Sequence, residues 1–321
     1  MSKPHALVTG GAGFIGSHLC EYLLAHGWRV TALDDLSTGL IENVKGMEGN
    51  PDFRILVGSA EDGSLLRSLA TDLQTVFHLA AVVGVKKVIS DSVNTIEKNL
   101  HTTETVLRVC NLFRLRLLMT STSEVYGQNP KELFNEDDDA IIGNSRHRRW
   151  SYAASKLMDE FHAYSYYYST ALPVTIARLF NTIGPRQVGH YGMVVPTFTA
   201  QALRGETITV YGDGEQKRCF TDVRDVVKCL YELADGMETV GHIYNVGSQQ
   251  EISIMELAKM IRKMTGSNSE ITCKSYQDAY GEEFVDMLRR VPDTARLREA
   301  IGFVPSRSLA DTLQTVIDFM K

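Results

Sequence analysis

"TGGAGFIG", residues 9–16, is the part of the sequence that indicates the fold of this chain most directly. It follows the short apolar run "HALV" (5–8) and precedes "SHLCEYLLAHG" (17–27), in which Leu19 and Leu23 fall on one helical face. We therefore predict a buried strand, a tight glycine turn and a helix that begins at the turn.

The glycines of this stretch match two related spacings. Gly11, Gly13 and Gly16 fit the pattern GxGxxG, while Gly10, Gly13 and Gly16 fit TGxxGxxG. A side chain at these positions would keep the backbone away from a pyrophosphate, and the helix N-terminus offers it free N–H groups and a positive dipole end. The pattern and its context predict a dinucleotide site.

Strands and helices alternate from the first residues onward. Five further segments predict strands: "WRVTALDD" (28–35), "FRILVGS" (53–59), "TVFHLAA" (75–81), "LRLLMTSTS" (115–123) and "PVTIARLFN" (173–181). Helical patterns separate them, and the alternation predicts an α/β fold with a doubly wound parallel (Rossmann) sheet. We expect residues 1–180 to form the dinucleotide-binding domain, with later segments returning to it, and 181–321 to form mainly a smaller α/β substrate-binding lobe.

Composition narrows the possible partners. The chain has 321 residues and a net charge of −6, which argues against a nucleic-acid partner held by bulk charge. Its five cysteines form no CxxC pair, and the acidic run "NEDDDA" (135–140) fails the calcium-loop spacing, so we expect no metal. Without an apolar run of about 18 residues, we expect no membrane span and a cytoplasmic location.

Two carboxylates end the second predicted strand. Asp34 and Asp35 lie about twenty residues beyond the glycine turn, where a carboxylate accepts hydrogen bonds from a ribose diol and repels a 2′-phosphate. No Arg or Lys follows directly in "DDLSTG" (34–39), so NAD is predicted rather than NADP. Capping of a helix is the alternative role for either aspartate.

Tyr152 and Lys156 lie four residues apart, on one face of a predicted helix. A phenol with a pKa near 10 is a poor base at neutral pH. A neighbouring ammonium and a positive nicotinamide ring would favour the phenolate, and lowering the pKa by roughly three units needs about 4 kcal/mol. We expect Tyr152 to be a catalytic acid/base that Lys156 tunes; a surface Tyr/Lys pair is the alternative.

Taken together, "TGGAGFIG", "VFHLAA", "STSEVYG" (121–127), "YAASK" and "RLFNTIGPRQ" (178–187) resemble the extended short-chain dehydrogenases/reductases that act on nucleotide sugars. That family includes 4-epimerases, 4,6-dehydratases and decarboxylases, and the likeness extends through "VYGDGEQKRCFTDVRD" (210–225). It implies a UDP-sugar substrate, tightly bound NAD and a homodimer. Leu157, Phe161 and Tyr164 are compatible with the dimer contact and equally with packing on the sheet.

The resemblance also implies roles for single residues. Thr122 would share the sugar 4-hydroxyl with Tyr152, which takes its proton while the C4 hydrogen leaves as hydride. Lys156 would hold the nicotinamide ribose. The implied cofactor contacts are Gly10, Gly13, Phe14, Ile15, Gly16, Asp34, Asp35, Leu79, Ala80, Ala81, Asn99, Tyr152 and Lys156. The implied substrate contacts are Lys87, Asn181, Val195, Arg218 and Arg290. Ser59 departs from the family, which often has an aspartate there to meet adenine.

The reaction depends on residues 123 and 124. Dehydratases of this family carry an Asp-Glu pair before "VYG", and Ser123 in the aspartate position weighs against dehydration. "STSEVYG" with "QKRCF" (216–220) is similar to UDP-glucuronic acid decarboxylases, so Ser123, Glu124 and Arg218 are the candidates for the step after oxidation. A substrate carboxylate near Glu124 would raise the pKa of Glu124 by like-charge repulsion.

Three alternatives remain open at this point. The first is a 4-epimerase acting on UDP-glucose, UDP-galactose or a UDP-uronate. The second is a non-catalytic dinucleotide sensor, which would be expected to lack the Tyr152/Lys156 pair. The third concerns Glu124 alone, whose carboxylate could simply make a structural hydrogen bond to an arginine of "RHRRW" (146–150).

Overall fold

The fold was analysed in a computed structural model that describes residues 3–189, 192–277, 287 and 289–321. The strands are β1 (His5–Thr9), β2 (Arg29–Asp34), β3 (Phe53–Val57), β4 (Thr75–His78), β5 (Arg116–Thr122), β6 (Val174–Leu179), β7 (Thr182–Ile183), β8 (Ile208–Tyr211), β9 (Lys217–Cys219), β10 (Thr221–Asp222), β11 (Ile243–Val246), β12 (Glu251–Ser253) and β13 (Ile271–Lys274). Seven of them form one parallel sheet, in the order β11-β6-β5-β4-β1-β2-β3.

The helices cover this sheet and build the second lobe. They are α1 (Phe14–Ala25), α2 (Gly63–Leu69), α3 (Val85–Ser90), α4 (Ser92–Phe113), α5 (Trp150–Thr170), α6 (Val194–Leu203), α7 (Val223–Asp235), α8 (Ile254–Thr265), α9 (Ala295–Ile301) and α10 (Leu309–Met320). α1, α7 and α9 pack on one face of the sheet, and α2, α4 and α5 pack on the other. Apolar residues on both faces explain why β1, β4 and β11 are buried along their whole length.

The order of the strands fixes where a ligand binds. The chain runs outward from β1 to β2 and β3 on one side, then returns to β4 and continues outward on the other. Ligands of open parallel sheets bind at the carboxyl ends of the strands, at such a switch point. The predicted α/β fold with a doubly wound parallel sheet is confirmed.

The second lobe has its own small core. β8 pairs with β13 and β9 with β12, and the apolar faces of α6, α8 and α10 pack together beside them. A reciprocal capping box between Ser253 and Glu256 starts α8. Residues 223–246 leave this lobe, because α7 packs on the main sheet and β11 forms its edge strand. The six predicted strands did not include β11.

The described residues contain neither a candidate membrane span nor a candidate metal site. No helix in this part of the chain is both long and apolar enough to cross a membrane. Within the same ranges, no group of three or more His, Cys, Asp or Glu side chains is placed to hold a metal ion.

Candidate active site

A cavity of about 530 Å³ opens at the carboxyl ends of the strands. Gly10 and Asp34 line it from the first two strands and the turn between them, and Thr122 lines it from β5. Val195 and Arg218 line it from the second lobe. The cavity thus lies where the strand order predicts, with one end at the glycine turn and the other against the lobe.

The glycine turn is shaped by close backbone contacts. Gly10 has a φ of +72°, in the left-handed region that favours glycine. A Cβ on Gly16 would lie 2.1 Å from the carbonyl oxygen of Gly10, and one on Gly11 would lie 2.6 Å from the Cβ of Ala32. These positions exclude side chains, so the start of α1 stays close to β1, and Gly13, Phe14, Ile15 and Gly16 line the cavity. The turn therefore fits the pyrophosphate of a dinucleotide.

Asp34 and Asp35 both line the cavity but differ in their partners. Asp34 accepts hydrogen bonds of 2.9 Å from the backbone N–H groups of Ala12 and Leu36, and burial raises its pKa. Asp35 lies 2.5 Å from Lys98 Nζ. Burial works against ionisation of Asp35, but hydrogen bonds from Lys98 and Ser37 lower its pKa to about 2. Lys98 comes from α4, so the sequence near Asp35 gives no sign of it.

Most of the other predicted cofactor contacts lie on the cavity wall. Phe14, Ile15, Leu79, Ala80 and Ala81 all line it.

Asn99, also predicted as a cofactor contact, is not among the described residues that line the cavity. It is buried behind the wall, and its side-chain oxygen accepts a hydrogen bond of 2.7 Å from the backbone N–H of Val82. Asn99 therefore supports the loop after β4. Ser59 does line the cavity, where its hydroxyl bonds to Glu61.

The structure brings Thr122 and Tyr152 together at the middle of the cavity. Their side chains share a hydrogen bond, and both line the wall. Burial and the nearby carboxylates of Glu124 and Asp159 raise the pKa of Tyr152 well above its ordinary value, while the hydrogen bond from Thr122 and the charge of Arg290 oppose that rise. Lys156, the lysine predicted to tune this phenol, pairs its Nζ with Asp159 at 2.9 Å.

Glu124 lies between two arginines. Its carboxylate accepts hydrogen bonds from Arg149 at 2.8 Å and from Arg290 at 3.1 Å. Burial would raise the pKa of Glu124, but the two guanidinium groups lower it to about 2. In the free protein this is opposite to the direction expected beside a substrate carboxylate. The contact with Arg149 is the hydrogen bond to "RHRRW" that the sequence left open.

The remaining predicted substrate residues surround this group. Arg290 also donates to the side-chain oxygen of Asn181 at 2.5 Å, and Asn181 donates to the carbonyl of Cys219 at 2.9 Å. Arg218 is buried at the wall, with Nη1 donating to the Lys217 carbonyl at 2.8 Å.

Ser123 and Val195 are also buried and line the cavity. The side chain of Lys87, like that of Lys86, lies outside the part of the chain that the structure describes.

Comparison with known proteins decides the family. Residues 6–247 match the NAD dependent epimerase/dehydratase family. The chain belongs to this family. Among its relatives, the UDP-N-acetyl-alpha-D-glucosaminuronate decarboxylase of Bacillus cytotoxicus is 38% identical over 320 residues, covering 99% of this chain and 98% of the relative. The UDP-glucuronic acid decarboxylase 1 of Xenopus tropicalis is 33% identical over 319 residues, covering 99% of this chain and 72% of the relative.

Solved structures of family members agree. The UDP-glucuronic acid 4-epimerase from Bacillus cereus, in complex with UDP-glucuronic acid and NAD, matches with a TM-score of 0.89 and 26% identity over 98% of both chains. The predicted resemblance, the assignment as an enzyme and NAD as cofactor are thereby confirmed.

Proposed function

We propose that this protein is an NAD-dependent decarboxylase of a UDP-linked uronic acid. The observation that carries the proposal is the arrangement of charge beside Tyr152, where Arg149 and Arg290 flank the single carboxylate of Glu124. Arg218 lines the same end of the cavity. This excess of positive charge suits a substrate that brings both a diphosphate and a sugar carboxylate. The proposal is supported by the relatives from B. cytotoxicus and X. tropicalis, which are both decarboxylases of UDP-linked uronic acids.

The oxidation step rests on Thr122 and Tyr152. When bound, NAD supplies the acceptor for the C4 hydrogen as hydride. The phenol of Tyr152 takes the proton of the sugar 4-hydroxyl, and the Thr122 side chain, already hydrogen-bonded to that phenol, holds the hydroxyl in line. The glycine turn would hold the pyrophosphate of the dinucleotide and Asp35 the ribose on its adenine side, so that the nicotinamide end can reach Tyr152.

Oxidation at C4 makes the sugar a β-keto acid. The C5–C6 bond then breaks, CO2 leaves, and the electron pair moves to O4 as an enolate. C5 takes up one proton, which comes ultimately from solvent, and return of the hydride to C4 with a proton from Tyr152 completes a UDP-pentose. The reaction needs no external oxidant, because the hydride removed from C4 is returned to it.

In this series of steps Glu124 acts as an ionised carboxylate that positions its neighbours. With a pKa of about 2 it is ionised, and its two oxygens orient Arg149 and Arg290 toward the cavity. Ser123, buried beside it on the wall, is the hydroxyl placed to pass a proton toward C5. Glu124 thus positions the groups that bind the carboxylate.

A product analysis tests the proposal. The purified protein is incubated separately with UDP-glucuronate, UDP-N-acetylglucosaminuronate and UDP-galactose, and the products are identified by mass spectrometry. Loss of CO2 from a uronate, absent with the Tyr152→Phe variant, is the expected result. A product of unchanged mass and inverted C4 would overturn decarboxylation.

The second candidate is a UDP-uronate 4-epimerase. The observation that favours it is the structural match with the B. cereus 4-epimerase, which was solved in complex with UDP-glucuronic acid. The same arginines could hold a uronate carboxylate without breaking the C5–C6 bond. NMR of the product separates the two candidates, since an epimerase leaves C6 in place and inverts only C4.

We also propose that two copies associate through α4 and α5. These helices expose several large apolar side chains: Val93, Ile96, Met158, Phe161 and Tyr168. Of the three residues proposed from the sequence, Phe161 is exposed, whereas Leu157 and Tyr164 are partly buried and pack against the hydrophobic cores. Light scattering on the wild type and on Phe161→Glu tests this, and a wild type that stays monomeric would overturn it.

A further inference from the structure

An acidic residue follows the catalytic lysine by one helical turn. Asp159 Oδ2 lies 2.9 Å from Lys156 Nζ on α5, and the two side chains are only 1% and 4% exposed. Water screens a pair buried to this degree less than it screens an exposed pair, so the carboxylate offsets part of the charge that the ammonium presents to its neighbours. The ion pair that forms at this site is close to neutral as a whole.

Three other side chains act on this pair: those of Thr103, His162 and His78. Thr103 of α4 presents its hydroxyl to Asp159, and His162 acts on the carboxylate from α5. His78 of β4 hydrogen-bonds through its ring to Thr103 and Thr9, and burial lowers its pKa to about 3, so it is uncharged. Burial raises the pKa of Asp159, and the Lys156 ammonium and Thr103 hydroxyl oppose that rise.

We propose that Asp159 is a positioning residue that acts through Lys156: it holds the ammonium in place and cancels part of the positive charge that would otherwise stabilise the Tyr152 phenolate. The inference rests on the proposed function, because it takes Tyr152 as the acid/base. It concerns only how strongly the lysine acts on that group.

The sign of the effect follows from the charges that face Tyr152. Glu124 and Asp159 disfavour the phenolate, while Arg290 and the Thr122 hydroxyl favour it. Replacing Asp159 by asparagine removes one negative charge and leaves the Lys156 ammonium uncompensated. Tyr152 then ionises more easily, so the pH at which it becomes an effective base falls.

The first experiment measures the rate of formation of reduced nicotinamide in a single turnover with UDP-glucuronate across pH. In Asp159→Asn, the midpoint of the rising limb should move down by roughly one pH unit, which makes the variant up to about tenfold faster below that midpoint. Glu104→Gln, which removes an exposed carboxylate of α4, is the matched control and should leave the midpoint in place. An unmoved or raised midpoint in Asp159→Asn overturns the inference.

A second readout does not depend on turnover. The difference in tyrosinate absorbance between each protein and its Tyr152→Phe counterpart gives the ionisation of Tyr152 directly. It should appear at lower pH in the Asp159→Asn background than in the wild type. If the two titrations coincide while the melting temperature of Asp159→Asn falls, Asp159 is merely structural and the inference is wrong.

The experiments distinguish an error in the proposed function from an error in the role of Asp159. A Tyr152→Phe variant that still turns over the substrate removes Tyr152 from the proposed function, whatever the Asp159 results. A wild type that does not act on UDP-glucuronate contradicts that choice of substrate, and the absorbance titration still decides the role of Asp159. Calorimetric titration with UDP and measurement of bound NAD report whether Asp159→Asn remains folded at the site.

Discussion

The two ends of the cavity are built by different means. The cofactor end is shaped mainly by the backbone, because Gly10 and Gly16 allow β1 and α1 to approach each other closely. The ion pair at this end, between Asp35 and Lys98, is partly exposed. The sugar end is buried charge, in which Glu124 holds two arginines from distant parts of the chain. The first end fits a cofactor that the whole family shares. In our proposal, the second end sets which reaction the substrate undergoes.

Tyr152 lies where the two ends meet, so its loss should have the largest effect. Tyr152→Phe keeps the ring and removes the only group that carries the proton of the 4-hydroxyl in our proposal. We expect turnover to fall by a factor on the order of 10² to 10⁴ with UDP affinity unchanged, measured by steady-state kinetics and calorimetry. Tyr168→Phe, on the exposed side of the same helix, is the control and should be fully active. If Tyr152→Phe is as active as Tyr168→Phe, the hydroxyl of Tyr152 takes no part in the reaction.

Glu124→Gln tests the buried charge of the sugar end. It leaves Arg149 and Arg290 without their carboxylate, and breaking a buried pair in this way costs roughly 3–5 kcal/mol of unfolding free energy. Because the folded pKa of about 2 lies below the usual value of 4.5, the stabilisation is complete above about pH 4.5 and is lost as the pH falls toward 2. Urea unfolding of the wild type and of Glu124→Gln should show that the difference between their unfolding free energies becomes smaller as the pH falls through this range.

The control for this variant is Glu104→Gln, which removes an exposed carboxylate that is paired within α4. It should change the unfolding free energy by less than about 1 kcal/mol at every pH. A Glu124→Gln protein that is no less stable than this control would mean that the two arginines find other partners, and the sugar end would then not depend on Glu124.

The two ends also differ in how well they could be predicted from the sequence. Glycine spacing and hydrophobic periodicity report local geometry, so the strand, turn and helix at residues 5–25 were predictable. Charged contacts between distant segments leave no such local pattern. Glu124 and Arg290 are 166 residues apart, and Asp35 and Lys98 are 63 apart. Which charges meet is decided by packing, and the pKa directions of Glu124 and Tyr152 therefore came only from the structure.

Gly16→Ala tests the backbone geometry of the cofactor end. The new Cβ would lie 2.1 Å from the Gly10 carbonyl oxygen, so β1 and α1 must separate at the glycine turn. Overpacking of this kind costs typically 1–3 kcal/mol, which corresponds to NAD binding that is roughly ten- to hundredfold weaker. NAD retained after gel filtration measures it. Gly46→Ala, where a Cβ meets nothing within 4 Å, should retain NAD like the wild type.

Lys98→Met should have the smallest effect, although it also breaks an ion pair. Lys98 and Asp35 are 28% and 29% exposed, so water can replace each lost partner, and such pairs contribute about 0–1 kcal/mol. We expect the unfolding free energy to fall by no more than about 1 kcal/mol in urea, with NAD affinity changed less than about fivefold. Added salt should reduce the difference from the wild type, since it screens exposed charges and leaves the buried group at Glu124 almost unaffected. A loss as large as that of Glu124→Gln would show that the cofactor end also depends on its charges, and the contrast between the two ends would not hold.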